Sequence, residues 1–483
     1  MEKTKAKYIK SFIKILVLVS FLVGTVCLVY NALSWKDTTG GYLSSYTQLY
    51  NLEDDTVDVL FVGSSHVYCD IYPCYLWRDY GISSFDMAVS GQDKDSGYYS
   101  IIEALKSQKP KVVCVDLYGL LFDEQEVIGN EYRNMLGMKP SKNSVDLVNQ
   151  YTIGQKNKRK DYLLRFPIIH TRYQELQKYD FETFKPSIYG KGADFHWEMN
   201  GCMVNEEAMA TEEVGELSVE NKEWIEKLAS LSQKNDFKLV FIMAPHLQSE
   251  EDQQIINAAT EYTAEMGIPL YDINRNRDTL GLIPESDYLD SSHLNAYGAE
   301  KMTAYMHGIL MTDTTASNGV ANEKLDLADH RGDAKYDSWD LDLEDYEHLK
   351  AKIQLQQVVD AAEYIQKVGE LGDMTIIVSI EGDMADRDYN LAMNSLGVGE
   401  ESWRQGGKWI WKDGEIISYM PNVFEQSTVY DFNQTDSMRI QYLGDMSEQN
   451  LMIGDESYSN HQNGLSVVVY DNLREEVFGQ KEF

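Results

Sequence analysis

The chain has 483 residues, which at roughly 100 to 200 per domain gives two or three folded units. A content of 43% hydrophobic and 11% aromatic residues excludes a mainly disordered chain, and five cysteines are too few for a disulfide-dense scaffold. Lys plus Arg number 43 against 78 Asp plus Glu, a formal charge of −35 that opposes binding to phosphate backbones and argues against a nucleic-acid partner.

Residues 15–33 (ILVLVSFLVGTVCLVYNAL) are almost wholly apolar and long enough as a helix to cross a hydrocarbon core about 30 Å thick. Lys3, Lys5, Lys7, Lys10 and Lys14 precede this run. The positive-inside rule then predicts a cytoplasmic tail over 1–14, a transmembrane anchor over 15–35 and an exported remainder. A cleaved signal peptide is the competing reading, but its apolar core is usually shorter and no AxA-like site follows Leu33. Cys27 lies within the span. Cys69, Cys74, Cys114 and Cys202 face a compartment that permits disulfides, with their pairing left open by the sequence. Cys114 sits in an apolar run and reads as core.

Past the anchor, short apolar runs alternate with helix-like stretches, the pattern of a parallel sheet covered by helices. The runs 57–62 (VDVLFV), 111–117 (KVVCVDL) and 238–243 (KLVFIM) are rich in β-branched residues, and 269–273 is a fourth. Between the second and third, about 120–220 reads as an insertion that shapes a cleft. This α/β domain is predicted over 45–312, followed by an acidic linker over 313–344 and a smaller mixed α/β domain over 345–483. The last opens with a helix-like stretch over 346–368, and MTIIVSI (374–380) and LSVVVYD (465–471) read as buried strands.

Two short motifs carry the chemistry. Gly63, Ser64, Ser65 and His66 follow the first strand directly, where a serine is held open at the carboxyl edge of a sheet with backbone N–H groups facing the substrate. Far along the chain, in YLDSSHLNAYGAEKM, Asp290 stands three residues before His293. That spacing lets the carboxylate accept an imidazole N–H from a compact loop, fixing the tautomer so that the other ring nitrogen takes a serine proton. Serine, then Asp, then His at the two ends of one α/β domain points to nucleophilic catalysis.

GSSH early and DSSHLN late resemble the first and last blocks of the SGNH, or GDSL-like, hydrolase superfamily, over about 50–312. The resemblance implies a flavodoxin-like three-layer α/β fold with Ser65 as nucleophile and Asp290 and His293 as its partners. FDMAVSGQ (85–92) resembles the second block and nominates Gly91, with the Ser65 N–H, for the oxyanion hole. The family's third block ends a strand with an asparagine that completes that hole, whereas here KVVCVDL runs into Tyr118, Gly119 and Leu120. Ser64 stands where GDSL enzymes have Asp. That swap is similar to a membrane-tethered subset, the D-alanyl-lipoteichoic acid and alginate O-acetylation proteins, which act beside a membrane-bound O-acyltransferase.

Three further residues are candidates for substrate contact. His170 and Arg172 lie two apart and share a face if their segment is extended, and His246 in PHLQ follows the strand KLVFIM at the same sheet edge. From about 350 the sequence resembles the interleukin-like EMT inducer domain, on IIVSIEGDMADRDYNLAMNSLG and NGLSVVVYDN. This implies glycan or protein binding, for which Trp403, Trp409 and Trp411 offer stacking surfaces. The chain has no GxxxxGK[ST], no GxGxxG after a strand, no HExxH and no paired CxxC, so neither a cofactor nor a metal is expected. The sequence therefore predicts a membrane-anchored extracellular serine esterase or O-acyltransferase acting on acetyl-type groups of a cell-wall or exopolysaccharide glycan. The alternative is a degenerate accessory protein that binds the glycan or the acyltransferase.

Overall fold

The computed structural model describes residues 2–34, 43–122, 124–181, 190–382, 386–421, 428–431, 437–443, 448–453, 456–458 and 464–483. Trp35, the last residue of the expected anchor, and residues 383–385 and 463 of the two C-terminal motifs lie outside these. The described chain forms two compact units, Met1–Tyr346 and Glu347–Phe483.

The first unit opens with helix α1 (Glu2–Leu33), whose 22-residue part Phe12–Leu33 is long and apolar enough to span a membrane or to be a signal sequence. Helix α2 (Leu43–Asn51) leads into a mixed α/β arrangement. Its strands are β1 (Val59–Gly63), β2 (Ser84–Ala88), β3 (Val112–Asp116), β4 (Lys238–Met243) and β5 (Leu270–Asp272). They pair parallel throughout, in the order β2-β1-β3-β4-β5.

The near-continuous apolar runs follow from burial on both faces of a parallel sheet. Leu60, Val62, Val113, Val115, Phe241 and Met243 point into one core with Ile101, Trp224 and Ile256. These come from helices α5 (Lys94–Ala104), α11 (Val219–Asn235) and α12 (Glu250–Glu265). Val59, Phe61, Val112, Cys114, Val240 and Ile242 point the other way, onto α3 (Ser65–Asp70), α4 (Pro73–Tyr80) and α14 (Ala296–Met311). The insertion after β3 supplies α6 (Glu124–Leu136), α7 (Lys142–Tyr151), α8 (Lys156–Leu164), α9 (Phe166–Ile169) and α10 (Glu206–Ala210).

The acidic stretch 313–344 departs from the expected linker. It forms a small hairpin of β6 (Thr314–Thr315) and β7 (Ala321–Asn322), and Leu327, Tyr336 and Trp339 are buried in the first unit's two cores. The Trp339 indole also donates to the Ser84 carbonyl. Few but large apolar side chains anchor this stretch without any periodicity for a sequence pattern to detect.

The unit boundary falls within α15 (Asp337–Gln357), and α16 (Ala361–Glu370) begins after Asp360, so the stretch over 346–368 is two helices rather than one. The second unit's main sheet is antiparallel, in the order β10-β9-β8-β15-β16. These strands are β8 (Met374–Glu381), β9 (Gly407–Lys412), β10 (Glu415–Met420), β15 (Gly464–Asp471) and β16 (Glu476–Glu482). A second antiparallel sheet runs through β11 (Thr428–Asp431), β12 (Ser437–Leu443), β13 (Glu448–Ile453) and β14 (Glu456–Ser457). Trp403 and Trp409 are buried in this unit's core, so they offer no face to a sugar ring, and Trp411 is partly covered.

Candidate active site

β1 delivers Ser65 to the carboxyl edge of the parallel sheet. Its last residue must be small, because a Cβ on Gly63 would lie 2.6 Å from a Val67 methyl and 2.8 Å from the Asp116 Cβ. The turn therefore closes tightly between β1, β3 and the start of α3, and Ser65 stands at the first position of that helix.

His293 comes from the loop before α14. Asp290 Oδ1 accepts the Ser292 and His293 backbone N–H groups at 2.8 and 3.0 Å, folding the four residues 290–293 into a compact turn. The same carboxylate meets the imidazole, with His293 Nδ1 at 2.9 Å from Oδ1 and 3.0 Å from Oδ2. Across the ring, His293 Nε2 is 2.7 Å from Ser65 Oγ. The three expected residues therefore form one unbroken hydrogen-bonded chain. Because the Asp290 carboxylate accepts the Nδ1–H hydrogen bond, the proton stays on Nδ1 and Nε2 is the acceptor for the serine hydroxyl. Burial pushes the Asp290 carboxyl up, but the Ser292 N–H and the His293 ring and N–H outweigh it and hold it below its ordinary range.

A buried bond ties the two ends of the chain together. Asp70, the last residue of α3, accepts the Leu294 N–H at 2.8 Å, which locks the helix that begins at Ser65 to the residue after His293. Asn295 then caps α14 by accepting from the Tyr297 and Gly298 N–H groups.

His66 lies against His293, its ring stacked 5.1 Å from that imidazole and tilted against Tyr118 at 4.1 Å. Its Nδ1 shares a 3.1 Å hydrogen bond with Ser64 Oγ. Burial, and then the neighbouring His246 and His293 rings, push its pKa well down, so the ring stays neutral. A neutral ring packed on His293 restricts that imidazole without placing a charge beside it. His246 lies one ring further away, 5.5 Å from His66 and 5.1 Å from Tyr118. Its Nδ1 pairs with the Ala244 carbonyl, and burial lowers its pKa to about 4. It is buried behind His66 rather than lining an open pocket.

Gly91 follows β2, whose last residue Ala88 pairs with Gly63, so it belongs to the same sheet edge. Its φ of 64° is a left-handed conformation that glycine adopts without strain. A Cβ there would lie 2.6 Å from the amide carbon of Asn130 on α6. Asn130 thus brings a carboxamide beside Gly91, and Arg133 lies 3.5 Å from its Oδ1. At the strand end where the resemblance called for asparagine stand Tyr118, packed on the two histidines, and Gly119, close to the 92–94 backbone.

His170 and Arg172 do not share a substrate face. Their segment is a 3-10 helix, His170–Gln174, in which His170 is exposed with Nδ1 on the Pro167 carbonyl and Arg172 is buried. The Arg172 guanidinium donates to the Leu33 and Ser34 carbonyls at 3.1 and 2.6 Å and to Asp180 at 2.9 Å. Its role is to cap α1. His66, Asp70, Tyr118 and Asn130 were given no role from sequence, although His66 closes the GSSH motif and Tyr118 stands at the end of KVVCVDL.

Among the described residues no three His, Cys, Asp or Glu side chains converge as a metal site. All five cysteines are free thiols, and Cys114 is buried in the sheet. No protein-family model matches the chain, and a search of curated proteins finds no match.

Proposed function

We propose that the protein is a membrane-anchored serine esterase or O-acyltransferase of the SGNH type, acting outside the cell on acetyl-type esters of a cell-wall or exopolysaccharide glycan. The observation that carries this reading is the continuous Asp290–His293–Ser65 chain, with bonds of 2.9 and 2.7 Å. The strand order 2-1-3-4-5 supports the flavodoxin-like part of the reading, and Ser65 at the carboxyl edge of that sheet supports the hydrolase part.

In the first half-reaction Ser65 Oγ attacks the ester carbonyl carbon while its proton passes to His293 Nε2. Collapse of the tetrahedral species breaks the bond to the sugar oxygen, which leaves with the proton from His293 and leaves the acyl group on Ser65. In the second, water or an acceptor hydroxyl gives its proton to His293 and attacks the acyl carbon, restoring the serine. The Ser65 and Gly91 N–H groups are the proposed oxyanion donors. We assign the third donor to the Asn130 amide, which replaces the missing strand-end asparagine from a different element. A membrane-bound O-acyltransferase is the proposed partner that supplies or receives the acyl group.

Retention of α1 is supported by Arg172, whose buried guanidinium is committed to the helix's terminal carbonyls. Removing α1 would strip that arginine of two partners. The test is mass spectrometry of the protein mixed with an O-acetylated glycan and quenched within the first turnover. An acetyl group on the peptide holding Ser65, absent from Ser65→Ala, is the expected result. Glycan retained by the protein with no acyl transfer at any time would favour the binding-protein alternative.

A further inference from the structure

The insertion after β3 carries a face that the chemistry of Ser65 does not use. We propose that this face, formed by α8 and by residues 166–181, rests on the phospholipid headgroups of the leaflet from which α1 emerges and docks the α/β unit on the membrane. The inference is independent of the esterase reading and rests on α1 spanning the bilayer.

Three observations converge on it. The first is height. α1 is exposed along its apolar length from Phe12, and among its described side chains Leu33 at its end is the first that is buried. There Arg172 grips the Leu33 and Ser34 carbonyls, while Asp180 fixes the guanidinium at 2.9 Å and accepts the Gln177 N–H at 2.9 Å. A cation at a helix's C-terminal carbonyls is favourably placed, and burial makes this one rigid. The 3-10 segment around Arg172 is thereby pinned at the level where a spanning helix leaves the hydrocarbon.

The second is exposed apolar surface at that level. Leu164 is 67% exposed, Tyr173 64% and Phe181 69%, with Leu163 and Phe166 also open. None of the nine residues of α8 is buried. Only one apolar side chain of α8, Tyr162, packs against the unit's own core, with its hydroxyl on Glu131, and the neighbouring Leu163 and Leu164 are left open to solvent.

The third is charge. α8 begins KNKRK, a cluster of Lys156, Lys158, Arg159 and Lys160 in a chain whose formal charge is −35. Lys158 pairs with Glu131 and Arg159 with Asn149, while Lys156 and Lys160 are exposed. Basic side chains beside exposed Leu, Phe and Tyr are the composition of a segment that lies in a membrane interface. An otherwise strongly acidic protein would be repelled by anionic lipid, and this patch is complementary to it. Tyr173, exposed beside the end of the spanning helix, also suits the aromatic interfacial belt.

The test uses the full chain reconstituted in nanodiscs of phosphatidylcholine alone or mixed with phosphatidylglycerol. The photo-crosslinker benzoylphenylalanine is placed singly at Leu22, Leu164 or Phe181, and adducts are read by mass spectrometry. Leu22, inside the span, reports that α1 is in the bilayer. The expected result is lipid adducts at all three positions. Those at Leu164 should rise several-fold with phosphatidylglycerol and fall several-fold in Lys156→Glu/Lys160→Glu. Adducts at Leu22 alone would overturn the docking proposal while leaving the anchor intact, and so would a Leu164 cross-link to a second copy of the chain. No lipid adduct at Leu22 would overturn the spanning helix on which the proposal rests. None of these outcomes bears on Ser65.

Discussion

Replacing Asp290 by Asn changes a single atom type and separates the orienting role of the carboxylate from its structural one. Oδ1 accepts the Ser292 and His293 N–H groups at 2.8 and 3.0 Å, and an asparagine oxygen can keep both, so the 290–293 turn should survive. Its side chain is half exposed, so the fold loses little and the melting temperature should stay within a few degrees of wild type. The other atom, now an NH2 group, sits 3.0 Å from His293 Nδ1, where it opposes the N–H donor, and Oδ1, 2.9 Å from Nδ1, already accepts two backbone N–H groups. The imidazole relieves the clash by moving its proton to Nε2, which then faces Ser65 Oγ as a donor at 2.7 Å and can no longer act as its base. Loss of the correct tautomer in a serine triad costs about 10,000-fold in kcat. The assay is acetate release from a chromogenic acetyl ester by the full chain in detergent, with circular dichroism and thermal melting in parallel. A folded Asp290→Asn protein within tenfold of wild-type kcat would refute the role given to the carboxylate.

Other perturbations test other parts of the site. Asn130→Ala should lower kcat by about 100 to 1000-fold with little change in KM, the cost of one oxyanion donor, and steady-state kinetics on the same ester reads it. Gly91→Ala must hold a left-handed φ of 64° and displace the Asn130 amide, so it should lose about 1–2 kcal/mol of stability along with activity, read by denaturant melts and kinetics together. Burial raises the Asp116 carboxyl from an ordinary 3.8 to about 7, so between these values the folded state keeps a proton that the unfolded chain gives up. Stability from this group is therefore full below about pH 4 and falls as pH rises to about 7, by up to about 4 kcal/mol. Urea melts across that range should show a shallower decline in Asp116→Asn than in wild type. Arg172→Met leaves Asp180 buried without its cation and should destabilise the first unit by about 3–5 kcal/mol, with part recovered in the Asp180→Asn double variant, measured by calorimetry.

The parts of the fold that were legible in the sequence are those written in local pattern. β1, β3 and β4 are buried on both faces, and that requirement produces the uninterrupted runs VDVLFV, KVVCVDL and KLVFIM. β2 escaped being read as a strand because its five residues, SFDMA, place Asp86 in the middle of a fully buried strand. Burial pushes that carboxyl well up and favours its neutral form, which is how an acid can occupy such a position. The Asp290–His293 pair was legible because its geometry is local, one turn of four residues. Its meeting with Ser65, 228 residues away, followed only from placing both motifs at one sheet edge. Asp70, Tyr118 and Asn130 acquire their places through tertiary contacts that leave no mark in spacing. Arg172 was misread because an extended segment was assumed, whereas the 3-10 turn there buries the arginine and leaves His170 outside.

The most direct test of the central claim is covalent labelling of the full chain by a fluorophosphonate probe, with Ser65→Ala and His293→Ala alongside. The probe reacts with a serine only when a base has activated it. The triad geometry predicts labelling of wild type at Ser65 and none in either variant, with all three proteins folded by circular dichroism. A folded wild-type protein that stays unlabelled, or a Ser65→Ala variant that labels as well as wild type, would contradict it.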